Sequence, residues 1–267
     1  MTPPSKTPLT LEMKEAQAKA KVTAHVLKSL VLLTDTPMGT ESEHPASGVL
    51  LRLRNGRVVV MTAGHALPPR RPLNLHLADG RFFEDAVCRT ATHPDPRVDV
   101  ALMLPEPEIE AALGAFALDF ESVESSASRS IVGPIVAAGF PMQFTEMVSL
   151  GEDRFEHRFA AIVRYTTDYN HDSRWLSYNW REGWPIDRGT PPAHPALEVA
   201  PGSSVRLKKP LWLSGGPVYR VTHKPFDELD PKVDCKLIGV SVEYVNQREL
   251  ASPWWRWRAW IEGLQGQ

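Results

Sequence analysis

Tight-turn signals in the first third of the chain constrain its fold more than any other feature. Asn55-Gly56 separates the apolar runs 47–54 and 57–62, and a similar arrangement recurs around Asp79-Gly80. An asparagine or aspartate followed by glycine tolerates positive φ at both central positions of a two-residue hairpin turn. The first half of the chain is therefore predicted to be a meander of short strands, which favours a barrel or a sandwich over a doubly wound sheet.

The composition is typical of one folded unit that does not bind nucleic acid. A chain of 267 residues with 42% hydrophobic residues can bury a full core. Its 30 basic and 32 acidic residues leave a net charge of -2, so no global field favours phosphate backbones or acidic membranes. No stretch approaches the ~20 apolar residues that are needed to cross a bilayer. We therefore expect neither nucleic acid nor a membrane as a partner.

Cysteine usage and the N-terminal segment favour a cytoplasmic location. Cys88 and Cys235 allow at most one disulfide, and we expect two reduced, buried thiols. The sequence contains no Asn-X-Ser/Thr acceptor, and residues 1–21 lack the apolar core of a signal peptide. The prediction from these absences is a cytoplasmic protein.

Three short motifs carry the chemistry. MTAGHAL places His65 after an apolar run, RVDVALML places Asp99 at the start of another, and LWLSGGPVY places Ser214 before two glycines. Taken alone, the histidine is explained as a structural group with its hydrogen bonds satisfied, and the aspartate as a turn or strand-end residue. Their joint occurrence, in this chain order, instead indicates a nucleophile, its general base and the carboxylate that orients the base.

The segments TAGH, DVAL and SGGPV resemble the trypsin/chymotrypsin-like serine peptidase superfamily, and most closely its bacterial members without the disulfides of secreted enzymes. The resemblance covers roughly residues 31–245. It implies an all-β chain of two six-stranded antiparallel β-barrels, with His65 as general base, Asp99 as orienting carboxylate and Ser214 as nucleophile. By this resemblance the chain is a serine endopeptidase that cleaves a protein or peptide substrate through an acyl-enzyme.

The predicted domain organisation follows from the motifs and from shifts in composition. Residues 1–30 form an N-terminal extension, in which a helix precedes a first strand near 29–34. Residues 31–125 form the first barrel and 126–250 the second, joined by a connection that holds one short helical turn. Residues 251–267 form a C-terminal helix.

The C-terminal helix has one apolar stripe. It begins near Pro253, and the stripe consists of Trp254, Trp257, Ile261 and Leu264. This pattern predicts a helix packed on the second barrel rather than a membrane anchor. The two remaining tryptophans of this segment lie off the stripe, which hints at a partner surface.

The oxyanion hole departs from the pattern of the resembled family. The resemblance assigns it to the backbone N–H groups of Trp212 and Ser214, but the family has glycine where this chain has Trp212. A residue with a Cβ does not adopt every conformation that glycine does. Leu213 replaces the family's aspartate, so activation through a new N-terminus is not expected. The alternative to an active enzyme is a catalytically impaired binding module on the peptidase fold.

The sequence says less about substrate and partners. Lys208 lies where the resemblance places the primary pocket and would favour an acidic side chain, although two solvated loop lysines explain the same residues. Ser241 and Glu243 would offer backbone groups to an extended substrate, and Glu243 could reverse the charge preference. The resemblance also implies a regulatory protein partner.

Other reaction classes find no support in the motifs. No HExxH or paired CxxC spacing indicates a metal site, and no GxxxxGK loop would cradle a phosphate. An α/β-hydrolase would need a GxSxG motif and the chain order Ser, Asp, His. We therefore expect no metal and no cofactor.

Overall fold

The computed structural model describes residues 10–35, 46–67, 73–126, 128–140, 145–151, 154–159, 161–179, 214–223, 233–246 and 248–265. The helices are α1 (Leu11–Ser29), α2 (Pro107–Leu113) and α3 (Trp254–Leu264). The strands are β1 (Leu30–Thr34), β2 (Ala46–Arg52), β3 (Val58–Ala63), β4 (Asn74–Leu77), β5 (Phe82–Phe83), β6 (Val87–Thr92), β7 (Val100–Pro105), β8 (Leu118–Asp119), β9 (Ile135–Gly139), β10 (Thr145–Gly151), β11 (Arg154–Phe159), β12 (Ile162–Thr166), β13 (Tyr169–His171), β14 (Leu176–Asn179), β15 (Pro217–His223), β16 (Val233–Val245) and β17 (Arg248–Pro253).

Two curled sheets dominate the chain. The first has the order β5-β4-β1-β2-β3-β7-β6 with antiparallel neighbours, and β8 adds to β2 in parallel. The second has the order β12-β9-β15-β16-β17-β14-β13 and is antiparallel throughout, while β10 and β11 pair with each other. The prediction of a mostly β chain with two antiparallel sheets and a C-terminal helix is confirmed.

Each of the two described sheets contains more strands than the six per barrel that the resemblance implies. The first sheet has eight strands and the second has seven. The additional strands include β5 and β8, which are two residues long each, and β13, which has three. Segments this short show no alternation of apolar and polar residues from which a strand could be inferred.

The two hairpin loops in the first sheet are one residue longer than predicted. In the first, Gly56 N–H donates to Leu53 O at 2.9 Å and Leu53 N–H donates to Arg57 O at 2.8 Å. Gly56 has φ 85°, whereas Asn55 is not among the residues with positive φ. The asparagine side chain instead accepts a bond from Arg57 N–H at 3.2 Å. This is a three-residue loop that ends on a left-handed glycine.

The loop around Asp79 and Gly80 repeats this geometry. Gly80 has φ 91° and donates its N–H to Leu77 O at 3.0 Å, while Arg81 N–H bonds to Asp79 Oδ1 at 3.1 Å. In both loops the residue before glycine contributes a side-chain acceptor rather than a left-handed backbone. The dipeptides therefore locate the turns correctly but do not fix the loop length.

The core continues from one sheet into the other. Strand β1 is buried along its whole length, and its alternate side chains enter two different apolar clusters. Leu30 and Leu32 join a cluster that extends to the second sheet and to α3, whereas Val31 and Leu33 join one confined to the first sheet and its neighbourhood. Because side chains alternate across a strand, β1 serves both clusters at once.

Helix α1 packs on the second sheet before the chain enters the first. The hydroxyl of Thr10 caps it by accepting a bond from Met13 N–H at 3.2 Å. Apolar side chains that are fully buried recur every four residues along it, at Ala18, Val22 and Val26. At its end, the Ser29 hydroxyl lies 3.1 Å from the hydroxyl of Tyr219 on β15. The predicted helix followed directly by a strand is confirmed.

Helix α3 closes the chain with the predicted stripe. Pro253 precedes its first residue, and Trp254, Trp257 and Ile261 are buried. The indole N–H of Trp257 donates to Ser252 O at 2.9 Å, so the ring is both buried and satisfied. No helix among the described residues combines the length and the apolar character that a membrane span requires.

Cys235 is buried on β16 and takes part in no disulfide. Burial, reinforced by the negative charge of Asp234, raises the pKa of this thiol to about 12. The thiol is therefore inert near neutral pH. The side chain of Cys88 lies outside the described part of the structure.

Candidate active site

His65 lies just beyond the end of a fully buried strand. All six residues of β3 are buried, and the chain then turns through a short 3-10 segment, Gly64–Ala66. The turn carries the imidazole out of the core, and 51% of the side chain is exposed. The apolar run thus fixes the end of the strand, and the turn presents the histidine at the surface.

Asp99 reaches His65 from the neighbouring strand. It directly precedes β7, which pairs with β3 so that Ala63 lies opposite Val100. The Asp99 carboxylate accepts two hydrogen bonds. Oδ1 accepts one from His65 N–H at 2.8 Å, and Oδ2 accepts the other from His65 Nδ1 at 2.7 Å. The carboxylate therefore holds both the backbone and the ring of the same residue.

The backbone at Asp99 and Gly64 has the conformation and the close approach that this pair requires. Asp99 has φ 52°, a left-handed conformation that aspartate adopts more readily than most residues. Its carbonyl accepts a bond from Gly64 N–H at 3.0 Å. A Cβ on Gly64 would lie 3.0 Å from Asp99 Oδ1, which is tighter than ordinary contact. The glycine of the TAGH motif therefore leaves room for the carboxylate.

The electrostatics of the pair favour a charged imidazole. The pKa of His65 is raised from 6.5, mainly by the hydrogen bond to Asp99 and further by the negative charges of Asp99 and Glu243, against an opposing effect of burial. Nδ1 is the nitrogen that faces the carboxylate, so Nε2 is the nitrogen available for exchange of a proton. This arrangement suits a general base.

Ser214 begins the first described turn of the SGGP segment, and the next residue explains why glycine follows it. Gly215 has φ 89°. A Cβ at that position would overlap Ser47 O and Thr62 Oγ1, both of which belong to the first sheet. Gly215 N–H donates to Ser241 O at 2.7 Å in the second sheet. The serine turn is thus clamped between the two sheets.

Ser47 is the centre of this clamp, and the sequence motifs did not reveal it. Its N–H donates to Ser214 O at 2.9 Å, and its carbonyl accepts from the hydroxyl of Thr62 at 2.7 Å. Its own hydroxyl accepts from Phe140 N–H at 2.9 Å, just beyond β9. Ser47 and Thr62 are both fully buried. A buried polar pair on two paired apolar strands is a signal that could have drawn attention to them.

The hydroxyl of Ser214 is directed to the second sheet. It donates to the carbonyl of Val242 at 3.3 Å. Among the hydrogen bonds of the described residues, none joins Ser214 to His65. The structure therefore brings His65 and Asp99 into direct contact, and it holds Ser214 in a different hydrogen bond.

The two substrate-contact candidates on β16 have different surroundings. Ser241 is 1% exposed, with its N–H bonded to Gly216 O at 2.8 Å and its carbonyl occupied by Gly215. Its hydroxyl lies 2.7 Å from the hydroxyl of Tyr178. Ser241 is thus committed to internal bonds, which leave it little to offer a substrate. Glu243 is exposed, and its charge acts on His65.

The remaining site candidates lie outside the described residues. These are Lys208, expected to influence the charge preference, and Trp212, expected to donate an oxyanion N–H. Among the described residues, no group of three or more histidine, cysteine, aspartate or glutamate side chains is placed to hold a metal ion.

Comparison with known proteins yields little at the level of sequence. No family model matches the chain, and no curated protein is similar to it. Among solved structures, it is similar to the apo crystal structure of the MamO protease domain from Magnetospirillum magneticum, with a TM-score of 0.47 and 13% identity. That match covers 89% of this chain and 97% of the other.

Proposed function

We propose that this protein is a serine endopeptidase that cleaves a protein target through an acyl-enzyme, with Ser214 as nucleophile, His65 as general base and Asp99 as orienting carboxylate. The observation that carries the proposal is the pair of hydrogen bonds that the Asp99 carboxylate accepts from the backbone and the ring of His65. A carboxylate placed in this way fixes the tautomer in which Nε2 accepts a proton.

In the proposed reaction, Ser214 Oγ attacks the carbonyl carbon of the scissile bond and transfers its proton to His65 Nε2. Asp99 stabilises the imidazolium without taking the proton itself. The tetrahedral intermediate collapses with cleavage of the C–N bond, and the leaving amine receives the proton from Nε2. Water then attacks the acyl-enzyme with His65 again as base, which releases the acid and restores the serine.

The proposal requires one rearrangement before attack. The hydroxyl that donates to Val242 O at 3.3 Å has to turn toward His65. The proposed turn is a change of χ1 from one staggered well to another. Because the Ser214 carbonyl and the Gly215 N–H are both bonded, the backbone on that side of the nucleophile stays fixed while the hydroxyl turns.

The oxyanion is assigned to the N–H groups of Ser214 and Trp212 by resemblance alone. Loss of one such donor raises the barrier by about 3 kcal/mol. Turnover therefore requires a competent hole in addition to the three side chains.

Labelling with a fluorophosphonate, which reacts with an activated serine, tests the proposal. We expect the wild-type protein to be labelled at Ser214, and Ser214→Ala to abolish labelling. Ser130→Ala is the matched control, because Ser130 is exposed and remote from the three motifs in sequence, and it should react like the wild type. Absence of labelling in the folded wild type, with and without added protein substrate, would contradict the proposal.

A binding module on the same fold is the second candidate. The observation that favours it is the Ser214 hydroxyl bonded to Val242 rather than to His65. In that case the folded protein would capture a peptide or protein target but would remain unlabelled, and Ser214→Ala would leave the affinity unchanged. Labelling and target binding measured on the same preparation separate the two functions.

A further inference from the structure

The left-handed backbone of Asp99 needs support from both sides. Asp99 has φ 52°, and a non-glycine residue keeps such a conformation only where its surroundings enforce it. After it, β7 supplies the support, because this strand pairs with β3 from Val100 onward. Before it lies the loop 93–98, which belongs to neither β6 nor β7. The position of the carboxylate against His65 therefore depends on what holds this loop.

The loop 93–98 keeps its shape through bonds of its own. Val98 N–H donates to Asp95 O at 3.0 Å. The Asp95 carboxylate accepts from the backbone N–H of Arg97 at 3.0 Å and from its guanidinium at 2.9 Å. These bonds lie within the loop, so they fix its form but not its position relative to the rest of the molecule.

Helix α3 contacts the loop from outside at two points. Arg256 Nη1 donates to Arg97 O at 2.8 Å, and its Nη2 lies 3.9 Å from Asp95 Oδ2. The ring of Trp260 meets the ring of His93 edge-on, with the centroids 5.1 Å apart. Arg256 and Trp260 are four residues apart and therefore share one face of the helix. The loop before Asp99 is thus held against α3 at its beginning and near its end.

The same guanidinium reaches the second sheet. Nη1 of Arg256 also donates to Arg174 O at 3.2 Å, and its Cζ lies 5.4 Å from the centre of the Trp175 ring. Both residues lie between β13 and β14. The Arg256 side chain is only 13% exposed, and a charged donor makes stronger hydrogen bonds than a neutral one. Arg256 therefore ties the loop before Asp99 to the sheet that also holds the serine turn.

A second arginine on α3 makes the same kind of contact elsewhere. Arg258 Nη1 donates to Val123 O at 2.8 Å and to Glu124 O at 3.1 Å, and its side chain is likewise 13% exposed. These carbonyls belong to the connection between the two sheets and not to the loop 93–98. The two arginines are alike in burial and in bonding, and they differ in what they hold.

We propose that Arg256 is a positioning residue for the proposed reaction, which holds the Arg97 carbonyl and thereby keeps Asp99 in the conformation that contacts the His65 ring. Its bonds are to the backbone carbonyls of two loops, so it acts on the histidine through Asp99. The effect on catalysis rests on the proposed function, whereas the effect on the His65–Asp99 pair does not depend on turnover.

NMR titration of the His65 imidazole measures the positioning directly. In Arg256→Ala we expect the pKa of His65 to fall toward 6.5, because the hydrogen bond to Asp99 is the largest cause of its raised value. Loss of a nearby positive charge would by itself act in the opposite direction, since it favours the protonated ring. A His65 pKa that stays the same or rises in the folded Arg256→Ala protein overturns the proposal.

Arg258→Ala is the matched control. It removes the equivalent pair of bonds from the same helix, and we expect its His65 to titrate as in the wild type. Equal shifts of the His65 pKa in Arg256→Ala and Arg258→Ala would assign the effect to a general loosening of α3 and would refute the positioning role.

Arg256→Lys tests rescue by a conservative change. Lysine keeps a cationic donor but not the planar guanidinium, so the His65 pKa should lie between those of Arg256→Ala and the wild type. If lysine gives no recovery relative to alanine, the donated bond is not the cause. Should Arg256→Ala fail to fold, Arg256→Lys should still have a lower His65 pKa than Arg258→Lys, and equal values would contradict the inference.

Fluorophosphonate labelling connects the positioning with the proposed reaction. We expect the labelling rate of Ser214 to fall on the order of 10²-fold in Arg256→Ala, as expected when a catalytic group is misplaced by about 1 Å. Arg258→Ala should label like the wild type. If Ser214 is labelled but His65 titrates normally in Arg256→Ala, the peptidase stands and the positioning role is wrong. If the titration shifts as expected but the wild type is never labelled, Arg256 positions the pair in a protein that is not a peptidase.

Discussion

At the scale of single residues, the site depends on two left-handed backbone positions on opposite sides of the proposed reaction. Asp99 has φ 52° and Gly215 has φ 89°. In the first case the conformation directs a carboxylate at the histidine, and in the second it lets the serine turn approach the first sheet. Backbone strain of this kind costs about 1–3 kcal/mol for a non-glycine residue and persists where the surroundings enforce it.

Asp99→Asn should lower the pKa of His65, because the hydrogen bond that the Asp99 carboxylate accepts from the ring is the largest cause of the raised pKa. The wild-type pair stabilises the protonated ring, so its contribution to folding is complete below pH 6.5 and is lost as the pH rises through the higher folded pKa. NMR titration of the imidazole and unfolding at about pH 5 and about pH 9 measure both effects.

The loss of folding stability in Asp99→Asn should thus be larger at the acidic pH. We also expect the labelling rate of Ser214 to fall on the order of 10⁴-fold, because the amide favours the wrong tautomer. The control is Asp119→Asn, because Asp119 is an exposed aspartate that pairs with Arg52 at 3.6 Å. It should change neither the folding stability at acidic pH nor the labelling rate of Ser214. An unaltered imidazole titration in Asp99→Asn would refute the electrostatic role.

Gly215→Ala should destabilise the protein by about 3 kcal/mol or more, since overpacking and a left-handed alanine both oppose it. The added Cβ would overlap Ser47 O and Thr62 Oγ1. Gly263→Ala is the opposite case, because nothing lies within 4 Å of a Cβ there and the residue is helical. That change should stabilise by about 0.5–1 kcal/mol. Denaturant unfolding measures both changes in stability. A Gly215→Ala protein that is as stable as the wild type would contradict the clamp.

At the scale of elements, the hairpin β2–β3 is the piece that joins the serine to the histidine. Ser47 lies near the start of β2 and holds the carbonyl of Ser214, while Thr62 lies near the end of β3, three residues before His65. The Thr62 hydroxyl donates to the Ser47 carbonyl at 2.7 Å. A single hairpin therefore positions the proposed base and supports the proposed nucleophile.

Thr62→Val should reduce the stability by about 1–3 kcal/mol, because it leaves the buried Ser47 carbonyl without that donor. Since the same carbonyl belongs to the clamp on Ser214, the fluorophosphonate labelling rate should fall as well. Thr62→Ser keeps the hydroxyl and should restore the labelling rate, whatever it costs in packing. If Thr62→Val and Thr62→Ser label equally fast, the bond has no bearing on the site.

At the scale of the whole molecule, side chains of α3 connect the segment before Asp99 with the second sheet. Arg256 is 13% exposed in its side chain and donates to Arg97 O at 2.8 Å and to Arg174 O at 3.2 Å. Ser47 makes the corresponding connection on the serine side. The relative position of the two sheets, and with it the geometry of the site, is thus held at separate points.

Arg256→Ala should lower the free energy of unfolding by about 2–3 kcal/mol, because two carbonyls lose a charged donor. Hydrogen exchange should quicken at residues 95–100, which precede and include Asp99. Arg174→Ala removes an exposed side chain but keeps the carbonyl that Arg256 contacts, and it should stay within about 0.5 kcal/mol of the wild type. Unchanged exchange at residues 95–100 in Arg256→Ala would contradict this connection.

Much of the fold could be predicted because its signals are local. Apolar runs located β1, β2, β3 and β7, and the stripe of tryptophans located α3. The turn dipeptides located the hairpins but not their length, since the third loop residue is set by hydrogen bonds across the loop. The short strands β8 and β13 escaped prediction because they are defined only by their pairing with a neighbouring strand.

For the candidate site, the sequence by itself indicated which residue types could do the chemistry. Only the tertiary structure decided that Asp99 contacts His65 and that Ser214 is held by Ser47. The reason is that side-chain type and local conformation are properties of neighbouring residues, whereas a contact between distant segments depends on how strands pair and sheets pack. A residue type can be read at its own position, whereas the pairing of strands depends on the whole fold.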